Sequence, residues 1–300
     1  MKKIVEYMSI KGKLIIVGGG INTAENIPSH LSKEEILNDF FYQNGILKKI
    51  IEESKLKENS RIEIITTASQ SPKIAAEAYI RAFKLLGANN VQHLDINTRA
   101  DALNTDSLKR LDEANVVLFS GGDQLRLTST IGGTPFQQKL LQKYYHEEFI
   151  YAGTSAGAAA ASSSMIYQGD SVDALLKGAV EMNSGLGLID SIIVDTHFIQ
   201  RGRIGRLFQA VTGNPMKIGI GLSEDTGLII SDNNNKMTAI GSGSVILVDG
   251  REILDTSLSK VDIGFPISIS HIISHVMTRN DIFHFDQNKI IIKDSQYNNQ

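Results

Sequence analysis

Apolar residues along the chain fall in short runs bounded by glycine, and between those runs the spacing turns helical. Lys13–Val17 (KLIIV), flanked by Gly12 and Gly18, has the pattern of a buried strand. Ser32 with Glu35 three residues on forms a capping box, which predicts an amphipathic helix to about residue 55. Residues 62–67 predict the next strand. Ser71 and Pro72 predict a capped helix that runs to Leu86 and stops at Gly87. Residues 91–96 read as a strand, 106–113 as a short helix and 116–120 (VVLFS) as a third buried strand. Thr134-Pro135 opens a helix to about His146. Residues 150–152 form a short apolar run, and an Ala-rich helix start follows from Ala156.

Strand and helix thus alternate from residue 13 to about 162, the signature of a mostly parallel sheet with helices on both faces. After Gly213 the pattern changes. Residues 218–222, 227–230 and 245–248 are closely spaced apolar runs without helices between them, so a short antiparallel C-terminal extension is expected. No internal repeat or linker divides the chain, which reads as one α/β domain over residues 1–300. The loop at residues 232–235 (DNNN) and the tail at 296–300 (QYNNQ) are polar and expected to be mobile.

In a parallel sheet, sites form where strands end at their carboxyl edge. Three Gly-rich loops follow predicted strands: residues 18–20, 121–124 and 153–157. They are expected to open on one edge. Gly18-Gly19-Gly20 does not complete a dinucleotide loop, because Thr23 replaces the third glycine of G-x-G-x-x-G. A close backbone approach beside the cleft explains the three glycines better.

Residues 153–157 read G-T-S-A-G, the nucleophile-elbow pattern G-x-S-x-G. Small neighbours let Ser155 sit on a sharp strand-to-helix turn. The amide of Ala156, at the helix start, can face a developing oxyanion. A serine nucleophile needs a base. Of seven histidines, His30, His93 and His146 lie in helix-like or mid-strand surroundings, and His271, His275 and His284 in an apolar C-terminal segment. His197 follows the strand at 192–194 and stands at a strand end. For the acid, Glu224 follows the strand at 218–222, Asp173 lies in the loop after the serine helix, and Asp225 is a lesser alternative. Arg201, Arg203 and Arg206 come close behind His197. Positions 201 and 203 are about 200° apart on a helix and glycines intervene, so a loop carrying guanidiniums to His197 is expected, suited to binding carboxylates.

Composition narrows the chemistry. With no cysteine, thiolate catalysis and cysteine-held zinc are excluded. His271 and His275 lack an acid at suitable spacing, so neither a metal nor a cofactor is expected. A net charge of -3 gives no sign of a nucleic-acid or anionic-membrane partner. The N-terminal stretch lacks a leader's apolar run and nothing approaches 18 continuous apolar residues, so a cytoplasmic chain is expected.

Taken together, GGDQ at 121–124, GTSAGA at 153–158, D-x-HF-x-QRGRIGRL at 195–207 and GLSEDTGLII at 221–230 resemble the cyanophycinases, within the wider group of aspartyl dipeptidase-like serine peptidases. The resemblance covers about residues 13–250. It implies a fold like that of class I glutamine amidotransferases, related to the flavodoxin-like sheets, in a chain that often dimerises. It also implies hydrolysis of cyanophycin, a poly-aspartate bearing arginine on each side chain, to β-Asp-Arg dipeptides. Carried over by position, Ser155 is the nucleophile, His197 the base and Glu224 the third member, with Asp173 at another acidic position proposed for that role. Gly122 and Ala156 would supply the oxyanion hole. Gln124, Asp195, Arg201, Arg203 and Arg206 would bind substrate, Asp195 being the candidate partner for the polymer's guanidiniums. Family members usually carry Gln between the Asp and the His, where this chain has Thr196, which puts one substrate contact in question. An α-aspartyl dipeptidase and a non-catalytic binding module are the competing readings.

Overall fold

The computed structural model describes residues 9–26, 30 and 32–293. Nine strands form the main sheet, in the order β17-β16-β11-β10-β1-β5-β4-β2-β3. Its parallel half is β1 (Lys13–Val17), β2 (Ile62–Ile65), β3 (Val91–His93), β4 (Val116–Phe119) and β5 (Ile150–Thr154). Side chains alternate along each strand and feed two cores. Leu14 and Ile16 of β1 join Val117, Phe119 and Tyr151 on one face, while Ile15 and Val17 join Ile62, Ile64 and Leu118 on the other.

Helices cover both faces, as the alternation predicts. On the second face lie α1 (Lys33–Glu35), which continues as a π-helical turn over Ile36–Phe41, α2 (Ile46–Glu53) and α3 (Pro72–Leu85). On the first lie α4 (Arg99–Leu103), α5 (Thr105–Glu113), α6 (Gln124–Ile131) and α7 (Pro135–His146). The single helix expected from Ser32 to about residue 55 is therefore broken. Asn44 N–H closes a six-residue turn on Asp39 O at 2.7 Å. The chain then restarts at Gly45, where a Cβ would stand 2.2 Å from Phe40 O. The Glu35 half of the capping box lies outside the described side chains.

The carboxyl ends of β1, β4 and β5 share one edge, so the three Gly-rich loops open together, as expected. After α8 (Ala156–Ala159) comes a hairpin of β6 (Ser164–Gln168) and β7 (Glu181–Ser184), which the sequence pattern does not predict. A second, four-stranded sheet runs β15-β12-β9-β8. It holds β8 (Ile192–Asp195), β9 (Ile218–Leu222), β12 (Val245–Asp249) and β15 (Ile273–Met277), with α9 (Ile204–Thr212) packed on β9. Of the three runs expected to form an antiparallel extension, only 227–230 joins the main sheet, as β10 (Thr226–Ser231), followed by β11 (Lys236–Gly241), β16 (Ile282–His284) and β17 (Lys289–Ile291); those at 218–222 and 245–248 are β9 and β12 of the second sheet. A two-stranded ribbon, β13 (Asp255–Thr256) with β14 (Ile269–Ser270), completes the strands. The polar loop at 232–235 is the turn between β10 and β11. It is bonded into the body: Ile10 N–H donates to Asn233 Oδ1 at 3.0 Å and Tyr144 Oη to Asn234 Oδ1. The polar tail lies outside the described residues. Among those described, no helix is long and apolar enough to cross a membrane.

Candidate active site

Ser155 joins β5 to α8 in a conformation that costs backbone energy, with φ +50° and ψ −109°. Its flanking glycines are required by contact. A Cβ on Gly153 would lie 2.4 Å from Gly157 O, and one on Gly157 would lie 2.5 Å from Phe119 O. Only with both absent can the short helix fold back over the strand. Ser155 N–H donates to Val17 O at 2.9 Å, so β1 pins the elbow from the side.

His197 leaves β8 with φ +49°, held by its own amide to Gly18 O at 2.8 Å and by Phe198 N–H to Leu222 O at 3.0 Å. Its Nε2 stands 3.0 Å from Ser155 Oγ, and its Nδ1 stands 2.7 Å from Glu224 Oε1. Glu224 follows β9, and its amide donates to Gln200 Oε1 at 3.2 Å. Asp173, the other acid, is in an exposed turn after β6 and makes no hydrogen bond to His197; Asp225 bonds elsewhere. Strand ends from three different parts of the chain thus place hydroxyl, imidazole and carboxylate in line.

Gly18, Gly19 and Gly20 serve the close approach that their spacing suggested. A Cβ on Gly19 (φ +105°) would lie 2.3 Å from His197 Cε1, and one on Gly20 (φ +56°) would lie 3.1 Å from Glu224 Cβ. Gly122 is held at φ +137° against Ala68, where a Cβ would meet Ala68 O at 2.0 Å. Ala156 N–H is the first amide of α8, so no carbonyl one turn earlier is available to it.

Burial lowers the His197 pKa; hydrogen bonding to Glu224 opposes that, while Arg201 and Arg203 push it down further. The ring is accordingly neutral at pH 7, with a lone pair free at one nitrogen.

A polar cavity of about 460 Å³ opens over Ser155 and His197. Gly122, Gln124, Thr196, Arg201, Arg203 and Arg206 all line it. Gln124 Nε2 donates to Ile166 O at 3.1 Å and ties α6 to β6. Arg201 and Arg203 lie in the turn before α9, as expected of a loop, whereas Arg206 is in the helix itself. Arg201 makes no ion pair among the described residues. Burial pulls the Arg203 pKa down to about 10, which leaves it cationic at neutral pH.

Asp195 corrects an expectation. It is 1% exposed and takes no part in lining the cavity. Its carboxylate accepts Arg206 Nε at 2.6 Å, Arg206 Nη2, Arg203 Nη1 at 3.3 Å and the Thr196 amide at 2.8 Å. It is consumed inside the protein as the counter-charge for two arginines, so it does not meet a guanidinium of the substrate. Among the described residues, the cavity's lining contains no carboxylate. Thr196 is among the lining residues, and both its backbone groups are committed, the N–H to Asp195 and the C=O to Arg203 at 2.8 Å.

The sequence reading missed Tyr79 and Tyr167. Tyr79 comes from the middle of α3 and is hydrogen-bonded to Thr154; burial pushes its phenol up to about 12, so it is protonated. Tyr167 comes from the unpredicted hairpin and donates to Glu181. Neither position carries a motif. Among the described residues no cluster of three His, Asp or Glu could hold a metal ion.

The chain is a peptidase, a hydrolase: it belongs to peptidase family S51, which it matches over residues 36–238. It is 33% identical over 281 residues to a cyanophycinase from Trichormus variabilis, covering 94% of this chain and 88% of the relative. It is 30% identical over 285 residues to a cyanophycinase from Synechococcus elongatus, covering 95% and 83%. Among solved structures it resembles a peptidase from an acI-B1 Actinobacterium, with a TM-score of 0.65 at 20% identity over 93% of this chain and 98% of that one. That likeness concerns the fold, of the class I glutamine amidotransferase kind.

Proposed function

We propose that the protein is a serine peptidase that hydrolyses cyanophycin to β-Asp-Arg dipeptides through an acyl-enzyme. The observation that carries the reading is the chain Ser155 Oγ–His197 Nε2–Glu224 at 3.0 and 2.7 Å, beneath a cavity lined by arginines. His197, neutral at pH 7, takes the Ser155 proton at Nε2 as Oγ bonds to the substrate carbonyl carbon. The carbonyl oxygen becomes an oxyanion facing the amides of Gly122 and Ala156. As the C–N bond breaks, His197 returns the proton to the leaving amine. Water, deprotonated by His197 in turn, then cleaves the ester and frees Ser155. Glu224 fixes the ring and balances the imidazolium.

Arg201 and Arg203 supply positive charge for the free carboxylates that cyanophycin carries on its arginyl groups. Gln124 and Thr196 add neutral contacts, and Arg206 closes the wall. A homodimer in the cytoplasm is the assembly and location that this reading carries with it; size-exclusion chromatography tests the first. The three arginines of the lining suit acidic groups as well, which favours a second reading, a dipeptidase for short acidic α-aspartyl peptides. The two part in one experiment: incubation with cyanophycin and with α-Asp dipeptides, products identified by mass. Release of β-Asp-Arg supports the first reading, and cleavage of α-Asp dipeptides alone overturns it. Ser155→Ala, folded, is expected to lose about 10⁶ in kcat. Near-normal turnover by that variant overturns the serine mechanism.

A further inference from the structure

Asp225, the residue after Glu224, is almost wholly buried and takes a left-handed φ of +47°, which is strained for a residue with a side chain. Hydrogen bonds to its side chain and its backbone hold it there. Its Oδ1 accepts from Asn22 N–H at 3.0 Å and its Oδ2 from Ser242 Oγ at 2.9 Å. Its amide donates to Gly19 O at 2.8 Å, and its carbonyl accepts from Ser242 N–H at 2.9 Å. One residue thereby ties together the loop after β1, the turn after β9 and the turn after β11.

The loop after β1 is the surface on which both His197 and Glu224 rest. Gly18 O receives the His197 amide, Gly19 lies against the imidazole ring, and Gly20 lies against Glu224. Wherever that backbone sits, the ring and the carboxylate must follow. Asp225 bonds it at two points, residues 19 and 22. No cation among the described residues is hydrogen-bonded to the Asp225 carboxylate. The titratable groups nearest to it are Glu224, its neighbour in the chain, whose carboxylate faces His197, and His30, which reaches it only through Ser242, His30 Nε2 standing 3.2 Å from Ser242 Oγ. Burial pushes its pKa up to about 6. At neutral pH it is therefore a buried anion, kept at a cost in stability that an apolar residue would not incur.

We infer that Asp225 is a positioning residue: by anchoring the loop at residues 19–22 it sets the approach of Glu224 to His197 Nδ1. The inference rests on the reading of Ser155, His197 and Glu224 as the catalytic chain. Asp225 touches none of the reacting atoms and acts through the two residues that do.

Asp225→Ala removes both side-chain anchors. Its kcat is expected to fall about tenfold to a hundredfold with KM held within about threefold, as for a small misplacement of catalytic groups. Glu224 raises the His197 pKa, so a retreating carboxylate lowers it, and the acid limb of the kcat/KM profile moves to lower pH. Asp225→Asn keeps an oxygen for Asn22 N–H and offers its amide to Ser242 Oγ. It is expected to restore kcat to within about threefold and to return the limb. Gly20→Ala leaves the Asp225 bonds in place and presses a Cβ on Glu224, and it is expected to reproduce the shift even if Asp225→Ala does not fold. The His197 ring titration followed by NMR in the Ser155→Ala background, with and without Asp225→Ala, reads the same displacement without turnover. An unmoved acid limb and an unmoved ring titration in Asp225→Ala overturn the inference, whatever Gly20→Ala does. Hydrolysis retained by Ser155→Ala overturns instead the reading of the site, and the ring titration still decides the role of Asp225.

Discussion

Replacing Glu224 by Gln tests how much the third member of the site contributes. The substitution keeps the size and outline of the side chain and removes one negative charge, 2.7 Å from His197 Nδ1. When His197 holds the Ser155 proton it is a cation, and the charge centres of the pair are then about 4 Å apart. At that separation the attraction is worth about 1 kcal/mol in water and about 4 kcal/mol at the effective dielectric of a protein surface. The Glu224 side chain is 35% exposed, so its contribution falls between those limits. The expected loss in kcat is therefore about fivefold to about a thousandfold, smaller than the roughly 10⁴ seen when a fully buried acid is neutralised. Gln has a second effect. If it turns its amide toward Nδ1, the ring must carry its proton on Nε2, where it cannot accept from Ser155. In the free enzyme the support that Glu224 lends to the imidazolium also disappears, so the acid limb of kcat/KM moves to lower pH. The assay is steady-state release of dipeptide across that limb, with folding checked by circular dichroism. A Gln variant within about twofold of wild type, its acid limb unmoved, refutes the assignment of Glu224.

Arg201→Ala is expected to raise KM for cyanophycin fragments while leaving the melting temperature unchanged, because Arg201 makes no ion pair among the described residues; an unchanged KM counts against the carboxylate role. Asp195→Ala is expected to act on stability instead, by about 3–5 kcal/mol in urea unfolding, since it strands the buried Arg206 guanidinium. Asp225 has a folded pKa raised from 3.8 to about 6, so its contribution is present in acid and is lost as pH rises through about 6. Wild type is expected to lose up to about 3 kcal/mol relative to Asp225→Asn between acid and neutral pH, measured by urea unfolding of both; parallel stability curves would contradict this. Thr196→Gln adds a longer side chain to the cavity and is expected to change KM by no more than about tenfold, the worth of one neutral hydrogen bond. A wild type inactive on cyanophycin beside an active Gln variant would show that Thr196 changes the substrate.

Much of this architecture is legible in the sequence where strand and turn speak together. The runs before Gly18, Gly121 and Gly153 are apolar and end in glycine, so three strands and the edge they share follow directly. His197 and Glu224 are legible for the same reason, each standing just past an apolar run. Legibility fails where a segment's neighbours decide its form. Gln124–Ile131 (QLRLTSTI) carries Thr128, Ser129 and Thr130, weak helix formers, yet Asp123 caps it and Leu127 and Ile131 bury against the sheet. Glu181–Ser184 (EMNS) has no strand pattern of its own and pairs because Ser164–Gln168 lies beside it. Asp195 looked open to substrate because spacing says nothing about which way a carboxylate is claimed. Arg206, eleven positions later and one helix away, claims it. Tyr79 lies in an amphipathic helix whose pattern distinguishes a buried face but not a cavity wall.

The bonds that define the site reach far along the chain. Ser155 and His197 are 42 residues apart, and the contact between Asn22 and Asp225 spans 203. Because β10 inserts beside β1 in antiparallel register, the turn bearing Glu224 and Asp225 meets the first loop only when the last third of the chain has joined the sheet. During synthesis Ser155 and His197 both precede that turn, His197 by only 27 residues, and until the turn arrives they have no carboxylate behind them and no finished loop to rest on. A nascent chain with its elbow already folded thus still lacks the Glu224 end of the site's hydrogen-bonded chain. Such long-range pairings are slow to form, so the hydrogen-bonded chain from Ser155 through His197 to Glu224 is completed only late in folding.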